Sequence, residues 1–211
     1  MRLRRRKHID SRMSAVSAAL AENPEALRGE WARQTQPAAR RVNVELGCGM
    51  GLYISQAAAA APDELFVGVE RNQNVIIRAL ERAAGLPNVL FVCRDAAALG
   101  RWFAPGEAHG LLLFFPDPWP RPGDEKRRLT SPAFADTYAS ILPEGGSLEL
   151  RTDSLALCRY SARVLETRGF TLPEGARRDG GIYTEYEQKY RRQGREIYIL
   201  TAVRHTKGAG L

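Results

Sequence analysis

The regular alternation of short apolar runs with amphipathic segments is the feature that most constrains the fold. Five runs are predicted to be strands, at residues 42–46, 65–70, 89–93, 111–115 and 147–150. Segments with helical periodicity follow at residues 52–61, 75–84, 132–142 and 155–168. Strands separated by helices predict βαβ units and an α/β fold with a doubly wound, mostly parallel sheet. The run REIYILTAVR predicts a late antiparallel strand.

The N-terminal stretch departs from this alternation. Residues 1–40 begin with the basic MRLRRRKHID, continue with an alanine-rich stretch, and predict an extension of one or two helices and a linker. Residues 41–211 predict one domain, because 211 residues with 44% hydrophobic content support one substantial core. An export signal would need an apolar run where Asp10, Ser11 and Arg12 stand. Since no run approaches the roughly 20 apolar residues of a membrane span, we expect a cytoplasmic protein.

The charge balance points to a polyanionic partner. The formal net charge is +7, which favours nucleic acid or an anionic membrane over a neutral metabolite, and composition alone does not choose between these two. The three cysteines, Cys48, Cys93 and Cys158, are scattered, as are the three histidines. This spacing argues against a disulfide framework and a zinc site, so we expect no metal.

A glycine-rich turn follows the first predicted strand in VNVELGCGMGLYI. Glu45 lies near the strand end, and Gly47, Gly49 and Gly51 lie in the turn, where glycine permits positive φ and close approach of a ligand. A tight turn without a ligand is the alternative for a lone G-x-G. Leu52 stands where the dinucleotide fingerprint needs a small residue, which disfavours NAD and favours S-adenosylmethionine.

Acidic residues follow the next two predicted strands. Glu70 ends LFVGVE, where a carboxylate can accept hydrogen bonds from ribose hydroxyls; a solvated charge is the alternative. Asp95 follows the third strand, where it either meets an adenine amino group or caps the next turn. Open α/β sheets bind ligands at the carboxyl ends of their strands, so we expect both residues near the glycine turn.

The stretch FFPDPWPRPGDEKRR places a carboxylate between two prolines after the fourth predicted strand. Pro116 and Pro118 fix their own φ and predict extended backbone at Phe115 and Asp117, which would aim the aspartate. Trp119 either stacks on a base or covers the core. The cluster that follows carries more cations than carboxylates, namely Arg121, Lys126, Arg127 and Arg128 against Asp124 and Glu125. A solvated face is its ordinary interpretation, but next to site loops it predicts RNA binding.

These motifs together resemble the bacterial tRNA (guanine-N7)-methyltransferases. The resemblance is carried by ELGCGMG, GVERNQNVIIRALERA, FFPDPWP with KRRL, RTD at residues 151–153 and TEYEQKY at residues 184–190. It covers most of the chain and implies a Rossmann-like class I methyltransferase fold for residues 41–211. It also implies transfer of a methyl group from S-adenosylmethionine to N7 of a guanine in the tRNA variable loop, guanine 46 in tRNA numbering. The implied partner is tRNA. We also expect no membrane and no metal partner, and a monomer or a homodimer.

The resemblance implies roles for particular residues. In that family, carboxylates at the positions of Glu45, Glu70, Asp95 and Asp117 line the cofactor site. From the residues themselves we predict that the glycine turn also binds the cofactor, and that Asp117, aimed by its two prolines, is the catalytic residue. Substrate is held by Arg121, Asp153, Thr184 and Glu187, and RNA by Lys126, Arg127 and Arg128. The family usually has lysine at the position of Arg121 and more basic residues at 122–124.

Several alternatives to these roles and to this activity stay open. Asp153 is otherwise a helix N-cap, and Thr184 with Glu187 a capping box. For the whole chain, one alternative is a methyltransferase acting on an exocyclic nitrogen, since D-P-W resembles the D-P-P-Y type of loop. Another is a noncatalytic RNA-binding subunit with the same fold, and a dehydrogenase is the least favoured.

Overall fold

The computed structural model describes residues 17–173 and 181–205. In this part of the chain the strands are β1 (Arg41–Leu46), β2 (Glu64–Val69), β3 (Val89–Val92), β4 (Gly110–Phe114), β5 (Ser147–Thr152), β6 (Phe170–Thr171) and β7 (Tyr198–Arg204). The α-helices are α1 (Leu52–Ala60), α2 (Gln73–Arg82), α3 (Leu99–Trp102), α4 (Pro132–Ile141), α5 (Leu155–Glu166) and α6 (Glu185–Arg192).

The strands form one sheet in the order β3-β2-β1-β4-β5-β7-β6. The first five strands of this order pair in parallel, and β7 is antiparallel to both β5 and β6. The predicted α/β fold, a doubly wound and mostly parallel sheet with a late antiparallel strand, is confirmed. The strand order reverses at β1, so the loops after β1 and β4 flank the crevice where such sheets bind ligands.

Side chains that alternate along the strands build a core on each face of the sheet. Leu65, Val67 and Val69 of β2 join one buried cluster, whereas Phe66 joins a second cluster with residues of α1 and α2. Five of the six residues of β1 and of β2 are buried. Burial on both faces explains why these strands appear in the sequence as continuous apolar runs.

The described part of the N-terminal extension consists of short 3₁₀ turns, at Ser17–Ala19, Pro24–Leu27 and Trp31–Gln34. Trp31 is completely buried, stacks on Phe103 and donates its indole N–H to the carbonyl of Trp102 at 2.8 Å. Leu20 forms a parallel bridge with Phe91 of β3, and the N–H of Ala21 donates to the carbonyl of Phe91. Residues 17–40 therefore pack on the sheet, while the basic residues 2–7 lie outside the described residues.

None of the helices within residues 17–173 and 181–205 has the length and apolar character needed to cross a lipid bilayer.

Candidate active site

A cavity of about 460 Å³ opens at the carboxyl ends of the parallel strands. Four consecutive strand-end loops contribute to its wall, through Gly47 after β1, Glu70 after β2, Asp95 after β3 and Asp117 after β4. Trp119, Lys126 and Arg127 also line it. The structure thus brings together predicted cofactor residues and two of the predicted RNA-binding cations. Carboxylates and cations around one cavity can hold a cationic group beside a polyanion.

The three glycines of the first loop serve different structural purposes. Gly47, Gly49 and Gly51 all have positive φ, at 78°, 57° and 74°. A Cβ on Gly47 would meet no heavy atom within 4 Å, and this residue borders the cavity. A Cβ on Gly51 would lie 2.7 Å from the Cβ of Ala79, so Gly51 allows the loop to pack against α2. The open space at Gly47 is the part of the loop that a ligand can approach.

Glu45 is a buried carboxylate beneath the glycine loop. Its side chain is almost entirely inaccessible, and within the described part of the chain its Oε2 atom has no hydrogen-bond partner. Burial raises the pKa of Glu45 well above its usual value; Glu185 raises it further, and Arg151 opposes the shift. Of the predicted cofactor residues, Glu45, Gly49 and Gly51 are not among the described residues that line the cavity.

Glu70 and Asp95 each use one carboxylate oxygen to fix their own loop. Glu70 accepts the backbone N–H of Asn72 at 2.9 Å, immediately before α2. Asp95 accepts the N–H of Ala97 at 2.9 Å, so the predicted alternative of a turn cap is realised. Capping does not remove Asp95 from the site, because its side chain lines the cavity as well.

The proline-flanked loop after β4 has two residues with left-handed backbone. Phe115 has φ 51° and Trp119 has φ 41°. The prediction of extended backbone at Phe115 is therefore wrong. Its N–H extends the pairing with β5 through the carbonyl of Arg151, and its ring packs edge-on against Tyr190. These tertiary contacts override the local preference before proline. Asp117 is exposed at the mouth of the cavity.

The predicted RNA-binding cations differ in their contacts. Lys126 is exposed and lines the cavity. Arg127 pairs with Asp124 at 3.3 Å and lies over the ring of Trp119. Arg128 instead donates to the backbone carbonyls of Pro118 and Trp119 and lies over the ring of Tyr160. Arg128 therefore fixes the loop, while Lys126 and Arg127 face the space where a ligand would enter.

Three of the predicted substrate residues lie at the surface or cap a helix. Arg121 is exposed and precedes the 3₁₀ turn Pro122–Arg127. Asp153 pairs with Arg195 at 2.9 Å. The N-cap of α5 is Ser154, so the alternative of Asp153 as a helix cap is wrong. Thr184 caps α6 by accepting the N–H of Glu187 at 3.0 Å.

The fourth predicted substrate residue, Glu187, belongs to a buried ion-pair network. Its two oxygens accept from Arg151 and Arg191, each at 2.8 Å. Arg151 also pairs with Glu149 at 2.6 Å and donates to the carbonyl of Ile182 at 2.9 Å. Burial by itself would lower the pKa of Arg151, but its carboxylate partners outweigh burial and raise it. The four predicted substrate residues are not among those described residues that line the cavity.

Two residues of this region were missed by the sequence analysis. Arg151 begins the RTD motif, and a charged residue at the end of an apolar strand is the signal that could have identified it. Arg82 donates to the carbonyl of Met50 in the glycine loop and pairs with Glu185 at the start of α6. Arg82 therefore connects the glycine loop to the helix that carries Glu187.

Residues 17–173 and 181–205 contain no group of three or more His, Cys, Asp and Glu side chains placed to hold a metal ion.

Comparison with known proteins identifies similar sequences and similar structures. The family model described as "Putative methyltransferase" matches residues 39–200. The chain is 35% identical to a tRNA (guanine-N(7)-)-methyltransferase of Streptococcus suis, over 96% of this chain and 99% of that protein. It is 34% identical to the protein of the same name from Listeria monocytogenes serotype 4b, over 96% of this chain and 98% of that protein.

Solved structures share the fold at lower identity. A 16S rRNA (adenine(1408)-N(1))-methyltransferase from Catenulisporales acidiphilia, with cosubstrate SAM, has a TM-score of 0.61 and 18% identity, covering 87% of this chain and 93% of that one. The 16S rRNA methyltransferase KamB has a TM-score of 0.62 and 17% identity, covering 84% and 92%. At this identity the likeness concerns the fold alone.

Proposed function

This chain belongs to the tRNA (guanine-N(7)-)-methyltransferase family, and from that membership we propose that it transfers a methyl group from S-adenosylmethionine to N7 of a guanine in tRNA. The target within the tRNA is guanine 46 of the variable loop, and the enzyme acts in the cytoplasm. The observation that carries the proposal is the convergence of Glu70, Asp95 and Asp117 with Lys126 and Arg127 around one cavity.

The residues around the cavity fit S-adenosylmethionine. Gly47 leaves open space at the wall. Glu45 lies in β1 two residues earlier, and its Oε2 atom has no hydrogen-bond partner among the described residues. Glu70 is suited to accept from ribose hydroxyls and Asp95 from an adenine amino group. Gly49 and Gly51 shape the loop around that position. When bound, S-adenosylmethionine supplies the methyl group on a positively charged sulfonium.

Asp117 is the group we assign to the transfer itself. N7 of guanine carries a lone pair and no proton, so the attack needs no general base. Positive charge passes to the purine during transfer, and a fixed carboxylate stabilises charge that develops next to it. Arg128 fixes the loop that positions Asp117 by donating to the carbonyls of Pro118 and Trp119.

The tRNA side of the site consists of the basic turn and the neighbouring loops. Lys126 and Arg127 are assigned to phosphates, which position a nucleic acid without reading its sequence. Arg121, Asp153 and Thr184 are assigned to the substrate, and Glu187 contributes by holding Arg151. The deep major groove of A-form RNA hides N7, so the guanine has to come from a loop or be unstacked before it reaches Asp117.

The proposal is tested by incubating the protein with unmodified tRNA and S-adenosylmethionine labelled in the methyl group. We expect label at guanine 46, detected as a chain break after borohydride reduction and aniline treatment, which act on 7-methylguanine. A transcript with adenine at position 46 is the matched substrate control, and Asp117→Asn is the protein control. Label found on an exocyclic nitrogen would show that this nitrogen, and not N7, is the methylated atom. Binding of tRNA without any transfer would favour the noncatalytic RNA-binding alternative.

A further inference from the structure

Trp119 and Arg127 form a stacked pair at the cavity. The guanidinium carbon of Arg127 lies 3.4 Å from the centroid of the Trp119 ring, and both residues line the cavity. A planar cation on an indole face is held by the ring quadrupole. The guanidinium of Arg127 therefore occupies the position that a planar base would take when stacked on the same face of Trp119.

The backbone of Trp119 is held in place by Arg128. The Trp119 carbonyl accepts from Arg128 at 2.9 Å, and Arg128 lies over the ring of Tyr160. The hydroxyl of Tyr160 donates to Glu125 at 2.8 Å. Trp119 itself has φ 41°, a conformation that is uncommon for a bulky residue and that persists where surrounding contacts impose it, often at ligand sites.

The other two tryptophans differ from Trp119 in their surroundings. Trp31 and Trp102 are fully buried in the core. Trp119 is only partly buried, and its ring is covered by a cation. Of the two alternatives that the sequence left for Trp119, the structure favours base stacking over covering the core.

We infer that Trp119 is the stacking platform for the target guanine, and that Arg127 covers this platform until an RNA phosphate draws the guanidinium away. The inference rests on the proposed function. Methyl transfer makes the purine cationic, and an indole face attracts a cation more strongly than a neutral ring. Stacking therefore strengthens as the reaction proceeds, which is the condition for lowering a barrier. Arg127, which also pairs with Asp124, can exchange Trp119 for an RNA phosphate, so binding of the RNA backbone and acceptance of the base are coupled.

The test uses nucleosides, because they carry a base without a phosphate. The full-length protein with S-adenosylhomocysteine is titrated with 7-methylguanosine or guanosine at mildly acidic pH. The tryptophan fluorescence of the wild type minus that of Trp119→Phe gives the emission of Trp119 alone. We expect 7-methylguanosine to quench this emission and to bind several-fold more tightly than guanosine. Trp119→Leu, followed by calorimetry, should lose roughly tenfold in affinity for 7-methylguanosine.

The covering role of Arg127 predicts that its removal changes the affinities for 7-methylguanosine and for tRNA in opposite directions. Arg127→Ala should bind 7-methylguanosine about two- to fivefold more tightly, because the ring face is free, yet should bind tRNA more weakly. Lys126→Ala is the matched control, since it removes a cation of the same turn; it should weaken tRNA binding without improving nucleoside affinity. Equal nucleoside affinity in wild type and Arg127→Ala would overturn the covering role.

Failure of this inference can be distinguished from failure of the proposed function. Equal affinity of wild type and Trp119→Leu for 7-methylguanosine would overturn the platform, whether or not the wild type methylates tRNA. Absence of methyl transfer by the wild type would overturn the function, and the nucleoside titrations do not depend on turnover. Thermal melting of Trp119→Leu and Trp119→Phe shows that each variant is folded before it is titrated.

Discussion

Arg151 and Glu187 form an ion pair of 2.8 Å in which the two side chains are only 3% and 0% exposed. The pair joins the end of β5 to the first turn of α6. Arg151 also lies over the ring of Phe114 at the end of β4, 4.6 Å from its centroid. This buried contact therefore ties α6 to the strand ends that surround the cavity.

Removal of the arginine from this pair should destabilise the protein strongly. Arg151→Met leaves Glu149 without this partner and Glu187 with only the more exposed Arg191, and breaking a buried pair costs about 3 to 5 kcal/mol. Urea denaturation measures the free energy of unfolding. Arg33→Ala, which removes one member of the exposed pair with Glu30, is the control and should change it by less than about 0.5 kcal/mol. Equal losses in the two variants would contradict the buried role of Arg151.

Glu45 should make the stability of the ligand-free protein depend on pH. Burial raises the pKa of Glu45 in the folded state. The protonated form contributes favourably to the free energy of unfolding. This contribution is fully present below the unfolded-state pKa of Glu45 and is lost as pH rises through its folded-state pKa. Glu45→Gln, which cannot ionise, should therefore melt at a higher temperature than wild type at neutral pH, and the difference should shrink in acid. Melting curves across pH measure this, with the exposed Glu166→Gln as control; a constant difference would refute the assignment.

Glu70 should determine the affinity for the cofactor. Glu70→Ala removes an acceptor for ribose hydroxyls, and such a loss costs about 1 to 3 kcal/mol of binding free energy. Glu70→Gln keeps one acceptor oxygen and should lose less. Calorimetric titration with S-adenosylmethionine measures both variants. A parallel titration with NAD should show no tight binding, and tight binding of NAD would show that the glycine loop has been misinterpreted.

Asp117 should contribute charge and not proton transfer. Asp117→Asn keeps the shape of the side chain and removes the charge, and loss of one preorganised electrostatic group lowers the rate on the order of a hundredfold. The residue is exposed, so the fold should be unaffected. Single-turnover rates with saturating tRNA and cofactor measure the loss. The wild-type rate should show no ascending limb from a carboxylate base between about pH 6 and 8. Transfer by Asp117→Asn at the wild-type rate would make the loop purely structural.

The three neighbouring cations should differ in the salt dependence of tRNA binding. Lys126→Ala and Arg127→Ala should each reduce the log-log slope of affinity against salt by roughly 0.7 to 0.9, the value of one lost phosphate contact. Arg128→Ala should reduce it less, because the guanidinium is bonded to the carbonyls of Pro118 and Trp119. Binding measured at several salt concentrations tests this order. An unchanged slope for Lys126→Ala would mean that this part of the turn is only a solvated face.

Most of the fold was predictable because the parallel strands are buried on both faces. Such strands give continuous apolar runs, and the predicted bounds differ from the observed ones by one or two residues, as in 65–70 against Glu64–Val69. The two-residue β6 and the four-residue α3 were not predicted, because elements this short show no periodicity. The helix α6 was anticipated only through its capping residues.

The candidate site was predictable where a residue follows a strand. The carboxyl ends of parallel strands converge, so Glu70, Asp95 and Asp117 could be grouped from their positions in the sequence. The pairing of Arg151 with Glu187 was not predictable, because the two are 36 positions apart and meet only through tertiary packing. The stack of Arg127 on Trp119 depends on the left-handed backbone at Trp119, which no local sequence rule indicates.

The two edges of the sheet bear on how the protein behaves at high concentration. An unpaired edge strand offers free backbone groups to another copy of the chain and can seed aggregates. At one edge, Ala21 and Leu20 lie along β3 and use the carbonyl of Phe91. At the other edge, β6 has only two residues. The N-terminal segment therefore reduces the backbone that β3 offers for strand addition, whereas β6 pairs with β7 only at Val203 and Arg204. Cover of the β3 edge favours colloidal stability when the chain is crowded.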